Sequence, residues 1–169
     1  MDDGASRIHE SPEFQIEVEV RDGETVVSAR LRRTAEECYR LFCDADLIPE
    51  WLWVVDTAVV QERDPRNRAV RVDFIGALER ASIGYTLSYE YDDAGLEVRW
   101  HHLGRGVREL AGSARFVSRE DGGCLLEYRL RTQLTAGLPP WADQLYTERP
   151  AETVVVDFCE FVESRSSGA

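Results

Sequence analysis

The chain has 169 residues, 43% of them hydrophobic and 31% charged, with a formal net charge of −12 at pH 7. That balance predicts one soluble domain with a sizeable core, and no apolar run approaches the length that spans a bilayer. The acidic excess repels phosphate backbones and anionic lipid surfaces, so neither nucleic acid nor stable membrane insertion is expected.

Residues 1–13 are polar and carry Gly4 and Pro12, which predicts a flexible N-terminal tail. The first residues lack both a basic cluster and an apolar stretch, so nothing resembles a secretory signal and a cytoplasmic location is expected. Phe14, Ile16, Val18 and Val20 then alternate with polar residues at the period of a strand. A turn at Arg21-Asp-Gly-Glu24 leads into a second strand, Thr25 to Leu31, which completes a hairpin.

Thr34 followed by Glu37 has the spacing of a capping box and marks a helix start. Cys38, Leu41, Phe42 and Ala45 make its apolar stripe. Pro49 is expected to break this helix, and Trp51 and Trp53 close the segment. Six alternating runs follow, over residues 54–62, 69–77, 81–91, 96–102, 107–119 and 124–134. Each ends at a Gly-, Pro- or Asp-rich turn signal, which predicts an antiparallel meander. Alternation assigns to one inner face Val70, Val72 and Phe74; Ile83, Tyr85, Leu87, Tyr89 and Tyr91; Leu96, Val98, Trp100 and His102. The same rule adds Leu110, Gly112, Ala114 and Phe116, then Cys124, Leu126, Tyr128, Leu130, Thr132 and Leu134. Leu138-Pro-Pro-Trp141 predicts a short helix that Pro150 interrupts or kinks. Ala151 to about Arg165 reads as a long helix with Val154, Val155, Phe158 and Val162 on one side. Residues 14–165 therefore form the domain, and 166–169 a C-terminal tail.

Cys38, Cys43, Cys124 and Cys159 form no C-x-x-C pair and sit in apolar patterns, so they read as small core residues in a reducing compartment. No metal site is expected: His101 and His102, adjacent on a strand, point to opposite faces. Esterase, nucleotide-binding, dehydrogenase and zinc-protease motifs are absent. The acidic pair Asp92-Asp93 reads as turn chemistry.

The order strand, helix pair, six-strand meander and terminal helix resembles the START-like, or SRPBCC, superfamily. The residues that carry the likeness are Arg32 to Asp44 before Pro49-Glu-Trp51, then Val98-Arg-Trp100, Gly112 to Phe116, Gly122 to Tyr128, Leu138-Pro139 and Phe161-Val-Glu163. Within that superfamily the chain is most similar to small polyketide cyclase/dehydrase-like and coenzyme-Q-binding START-like proteins. The resemblance implies an α+β helix-grip fold. Its curved antiparallel sheet of about seven strands wraps around a long C-terminal helix, with two short helices after the first core strand. It further implies a cavity between sheet and helix that holds a small hydrophobic or amphipathic molecule, a lipid, quinone or polyketide-like compound, with no cofactor.

The residues expected to line that cavity are Trp51, Trp53, Phe74, Tyr85, Leu87, Tyr89, Trp100, His102, Leu110, Phe116, Tyr128, Trp141 and Phe158. Arg105, on a turn at the expected mouth, is a second candidate for an anionic ligand group or an ordinary loop arginine. An alternative reading makes the chain a polyketide cyclase/aromatase-like enzyme. His102, with an unperturbed pKa near neutrality, is then the catalytic acid or base beside pocket tyrosines. A third reading, a module that docks on larger assemblies, requires an exposed apolar patch outside the cavity.

Overall fold

The computed structural model describes residues 6–10, 15–52, 55–78, 81–103, 107–134 and 150–166. In chain order these form β1 (Ser6–Glu10), β2 (Gln15–Arg21), β3 (Glu24–Leu31), α1 (Ala35–Phe42), a 3-10 turn (Ala45–Leu47) and α2 (Ile48–Trp51). The meander follows as β4 (Val55–Arg63), β5 (Ala69–Leu78), β6 (Ala81–Asp92), β7 (Glu97–Leu103), β8 (Val107–Ser118) and β9 (Cys124–Leu134). The chain closes with α3 (Pro150–Ser166). All neighbouring strands are antiparallel, in the order β1-β2-β3-β9-β8-β7-β6-β5-β4.

The sheet has nine strands where about seven were expected. Beyond β3 the sheet is extended by β2, the first strand of the hairpin read from sequence, and by β1, which was not expected as a strand. Residues 6–10, assigned by sequence to a loose tail, pair with β2 from Ser6↔Glu19 to Glu10↔Gln15. Ser-Arg-Ile-His-Glu carries no period-two apolar pattern, and an edge strand needs none, because its backbone pairing is with one neighbour only. The β2–β3 hairpin turns on Asp22 and Gly23, both at positive φ (49° and 79°), the geometry that matches the twist of paired strands.

Thr34 caps α1, its hydroxyl accepting from the Glu37 N–H at 3.2 Å, while the Glu37 carboxylate takes Arg33 Nη1 at 2.7 Å. The buried stripe is Ala35, Cys38, Tyr39 and Phe42. One expectation, the break at Pro49, is corrected. The first helix ends at Phe42, where Cys43 is the C-cap and Asp44 caps the next turn, so the break precedes Pro49. Pro49 stands instead in the first turn of α2, where its missing N–H costs nothing. The expected terminal helix is present as α3, Pro150–Ser166, and the segment that Pro150 was expected to interrupt lies outside the described residues. The expected short helix at Leu138 to Trp141 lies outside the described residues.

The inner face of the sheet alternates as expected: Val72, Phe74, Leu87, Val98, Trp100, Ala114, Phe116, Cys124, Leu126, Tyr128 and Leu130 are all buried. Ala151, Val155, Phe158, Cys159 and Val162 of α3 are fully enclosed, and the helix lies against β3 and β9 with a contact to α2. Each such large side chain contributes about 1.5–3 kcal/mol on leaving water. The core thus centres on the β3–β9 half of the sheet. No helix among the described residues is long and apolar enough to cross a membrane.

Candidate functional site

Register fixes which inner-face side chains are neighbours. Trp100 stands between Tyr89 on β6 and Gly112 on β8, and Tyr128 lies one row along from Gly112, opposite Ala114. A Cβ on Gly112 would come within 2.6 Å of the Trp100 ring and of the Arg129 carbonyl oxygen. The indole therefore leans across bare backbone and meets Tyr128 at 5.4 Å between ring centroids.

Phe42 of α1 is the hub of the closed end. Its ring lies 5.2 Å from Phe158, 5.8 Å from Trp51 and Phe116, and 5.9 Å from Trp100. Trp51 and Phe158 also touch edge to face at 5.2 Å. Five of the expected lining residues, Trp51, Trp100, Phe116, Tyr128 and Phe158, thus pack around Phe42 in one aromatic cluster. The Trp51 indole N–H is sealed there without a hydrogen-bond acceptor among the described residues.

A polar brace locks the same end. The Tyr39 hydroxyl donates to Asp93 Oδ1 at 2.9 Å, and Asp93 also accepts from Arg66 (2.5 Å) and Arg68. Arg68 is held in addition by Asp64 at 2.9 Å, and its guanidinium lies 4.5 Å over the Tyr91 ring. The Tyr91 hydroxyl donates to the Ala69 carbonyl. The Tyr39 hydroxyl and the two guanidinium groups hold the Asp93 carboxyl below the usual carboxylate range. Asp92 keeps its expected turn role, accepting from the Gly95 N–H, whereas Asp93 ties α1 to the β4–β5 and β6–β7 turns. Tyr39 and Arg68 were not singled out from sequence and Asp93 only as a turn residue, and no local pattern signals a bond across 54 residues.

Away from this end the inner face of β5 to β7 carries Phe74, Tyr85, Leu87, Tyr89 and His102. Phe74 and Tyr85 stack at 5.3 Å, and Leu87 faces His102 across the β6–β7 ladder. Phe74 and Leu87 are buried, while Tyr85, Tyr89 and His102 keep part of their surface accessible. Burial nevertheless raises the Tyr89 pKa well above that of free tyrosine, with the Tyr85, Tyr91 and Tyr128 side chains adding to it. Tyr128, 4% exposed, is raised by burial and by Tyr85. His102 is shifted down by desolvation, which keeps its imidazole neutral at pH 7. The Tyr85, Tyr89 and Tyr128 side chains are therefore near enough to feel one another in a desolvated layer.

Of the remaining expected lining residues, Trp53, Trp141 and the side chain of Leu110 lie outside the described residues, as does Arg105. Among the described residues, no group of three or more His, Cys, Asp or Glu side chains is arranged to hold a metal ion. All four cysteines are free thiols; burial pushes Cys43 up to about 12, so it stays protonated.

No family model and no curated protein matches the sequence. Solved structures do match the fold. A START superfamily protein from Mycobacterium smegmatis superposes with a TM-score of 0.72 at 13% identity, covering 83% of this chain and 97% of that one. A STAR-related lipid transfer protein from Xanthomonas axonopodis gives 0.66 at 13% identity over 96% and 99% of the two chains. An aromatase/cyclase from a Streptomyces species gives 0.66 at 11% identity over 85% and 94%. The chain has the START-like, helix-grip fold: an open antiparallel sheet gripping a C-terminal helix. Identities this low carry the fold and leave the role of each residue to its own chemistry.

Proposed function

We propose that the chain binds a small hydrophobic molecule in an enclosed space between the inner face of β5 to β7 and the elements that cover it. One observation carries the reading. Tyr89, on the inner face and packed against Trp100 at 6.3 Å, keeps accessible surface beside the buried Phe74, Leu87 and Trp100, which leaves room for a ligand against that face. Phe74, Leu87 and Trp100 supply apolar walls, and tyrosine hydroxyls supply the few polar contacts that orient a ligand. The lipid-transfer and aromatase/cyclase proteins that share the fold are named for handling molecules of this kind. Solvent extraction of the purified protein, followed by mass spectrometry, tests the reading. An apolar compound recovered in stoichiometric amount supports it, and a protein that neither carries nor takes up such a compound contradicts it.

A catalytic reading is favoured by His102 alone. It shares this inner face, and desolvation keeps its imidazole in the neutral form a general base requires. In that case His102 and nearby tyrosines exchange protons with a folded polyketone chain, and orientation supplies much of the rate. His102→Ala would then abolish turnover while leaving binding intact.

A further inference from the structure

Three cysteines meet from separate elements. Cys38 projects from the buried stripe of α1, Cys124 opens β9 and Cys159 lies on the enclosed face of α3, and none of the three is exposed. Local structure brings the first two into contact. The Thr34 cap fixes where α1 starts, and α1 packs on β8, while Cys124 is held in register with Leu31 on β3 and Ser118 on β8. Just before it, Gly123 passes so close to the Leu31 carbonyl oxygen that no side chain fits there, which pins the start of β9. The Cys38 thiol donates a hydrogen bond to the Cys124 sulfur, and Cys159 lies near enough to act on both electrostatically. One turn further along α1, Phe42 meets Phe116 and Tyr128.

We propose that Cys38 and Cys124 are an oxidation site, converted by a small peroxide into a disulfide that ties α1 to β9. Two thiols already in contact close such a bond with a local approach of the sulfur atoms and no rearrangement of the fold. Simple core packing accounts for a buried cysteine, but it leaves unexplained why this pair is polarised. Cys124 accepts from Cys38 and stands in the field of Arg119, which together pull its pKa below that of a free thiol despite burial. Cys38, the donor, is enclosed and raised, so it keeps its proton. The Cys124 thiolate therefore attacks the peroxide: one oxygen stays on its sulfur as a sulfenic acid, and the other leaves as hydroxide, which takes up the proton Cys124 released and becomes water. The Cys38 sulfur then attacks the sulfenic sulfur. The S–S bond forms as the hydroxyl departs with the Cys38 proton as a second water, and two electrons have passed from the thiols to the peroxide. Burial selects the oxidant by size. Cys124 follows directly on the exposed turn residues Asp121 and Gly122, a short path for a peroxide, while neither thiol presents surface to a protein disulfide.

The test treats the folded protein with hydrogen peroxide, alkylates the remaining thiols in denaturant and maps the tryptic peptides. Each cysteine falls in a peptide of its own: Cys38 in 34–40, Cys43 in 41–63, Cys124 in 120–129 and Cys159 in 132–165. The expected product is 34–40 joined to 120–129 with the loss of two hydrogens, split again by dithiothreitol, while Cys43 and Cys159 are recovered alkylated. In Cys38→Ala the sulfenic acid has no thiol to resolve it, so dimedone added with the peroxide should label 120–129. Peptides 34–40 and 120–129 recovered unlinked from the wild-type protein overturn the proposal. A link from either of them to 132–165 or to a second chain, or the absence of dimedone from 120–129 in the variant, overturns it equally.

Discussion

Trp100 crosses Gly112 to meet Tyr128, so the side-chain-free position on β8 decides how far the indole reaches across the sheet. This contact stands between the sealed aromatic cluster around Phe42 and the partly open layer at Tyr85 and Tyr89. Its steric limit is set on one side by the Arg129 carbonyl, which cannot rotate away.

Gly112→Ala should therefore destabilise the fold by about 1–3 kcal/mol and shift tryptophan emission, because the added methyl displaces the indole and strains the β8–β9 ladder. Urea unfolding followed by fluorescence checks both. An Ala variant as stable as wild type, with unchanged emission, would show that the indole does not occupy this position.

Asp93→Asn should cost about 1–3 kcal/mol, since it leaves the Tyr39 hydroxyl and two guanidinium groups without their carboxylate. The sign of the pH dependence follows from its lowered pKa. The stabilisation is complete above the ordinary carboxylate range and is lost as pH falls through the depressed folded-state value. The Asn variant should thus show a shallower loss of melting temperature below about pH 4 than the wild type. Equal slopes would remove Asp93 from the acid response.

Much of this architecture is legible in the sequence because a strand's period of two leaves little freedom. Tyr85, Leu87 and Tyr89, or Val98, Trp100 and His102, must share a face once the strand is recognised. Prolines were harder to read. Pro49 would break a helix that had already started and opens one that had not, and the residue that ends the first helix, Cys43, is not itself a breaker. The Tyr39–Asp93 brace and the lean of Trp100 over Gly112 are products of tertiary approach, with no trace in local spacing.

His102 gives a second pH signature. Desolvation lowers its folded-state pKa, so the unfolded chain binds the proton more readily and stability falls as pH drops from about 6.5 toward the folded-state value. His102→Gln should flatten the melting temperature over that window while preserving the profile below pH 4. A profile unchanged near pH 6 would place His102 in water rather than in the desolvated layer.

Phe42→Ala removes the ring shared by Trp51, Trp100, Phe116, Tyr128 and Phe158. The expected loss is about 3–5 kcal/mol in chemical unfolding. A loss below about 1 kcal/mol would mean that the cluster collapses around the void and that no single ring organises it.

An enclosed apolar site beside Tyr89 is tested most directly by the binding stoichiometry of 2,3-dimethylnaphthalene followed through tryptophan fluorescence. Saturation at one equivalent per chain is the predicted result. A linear, non-saturating response, the behaviour of surface partitioning, would contradict it.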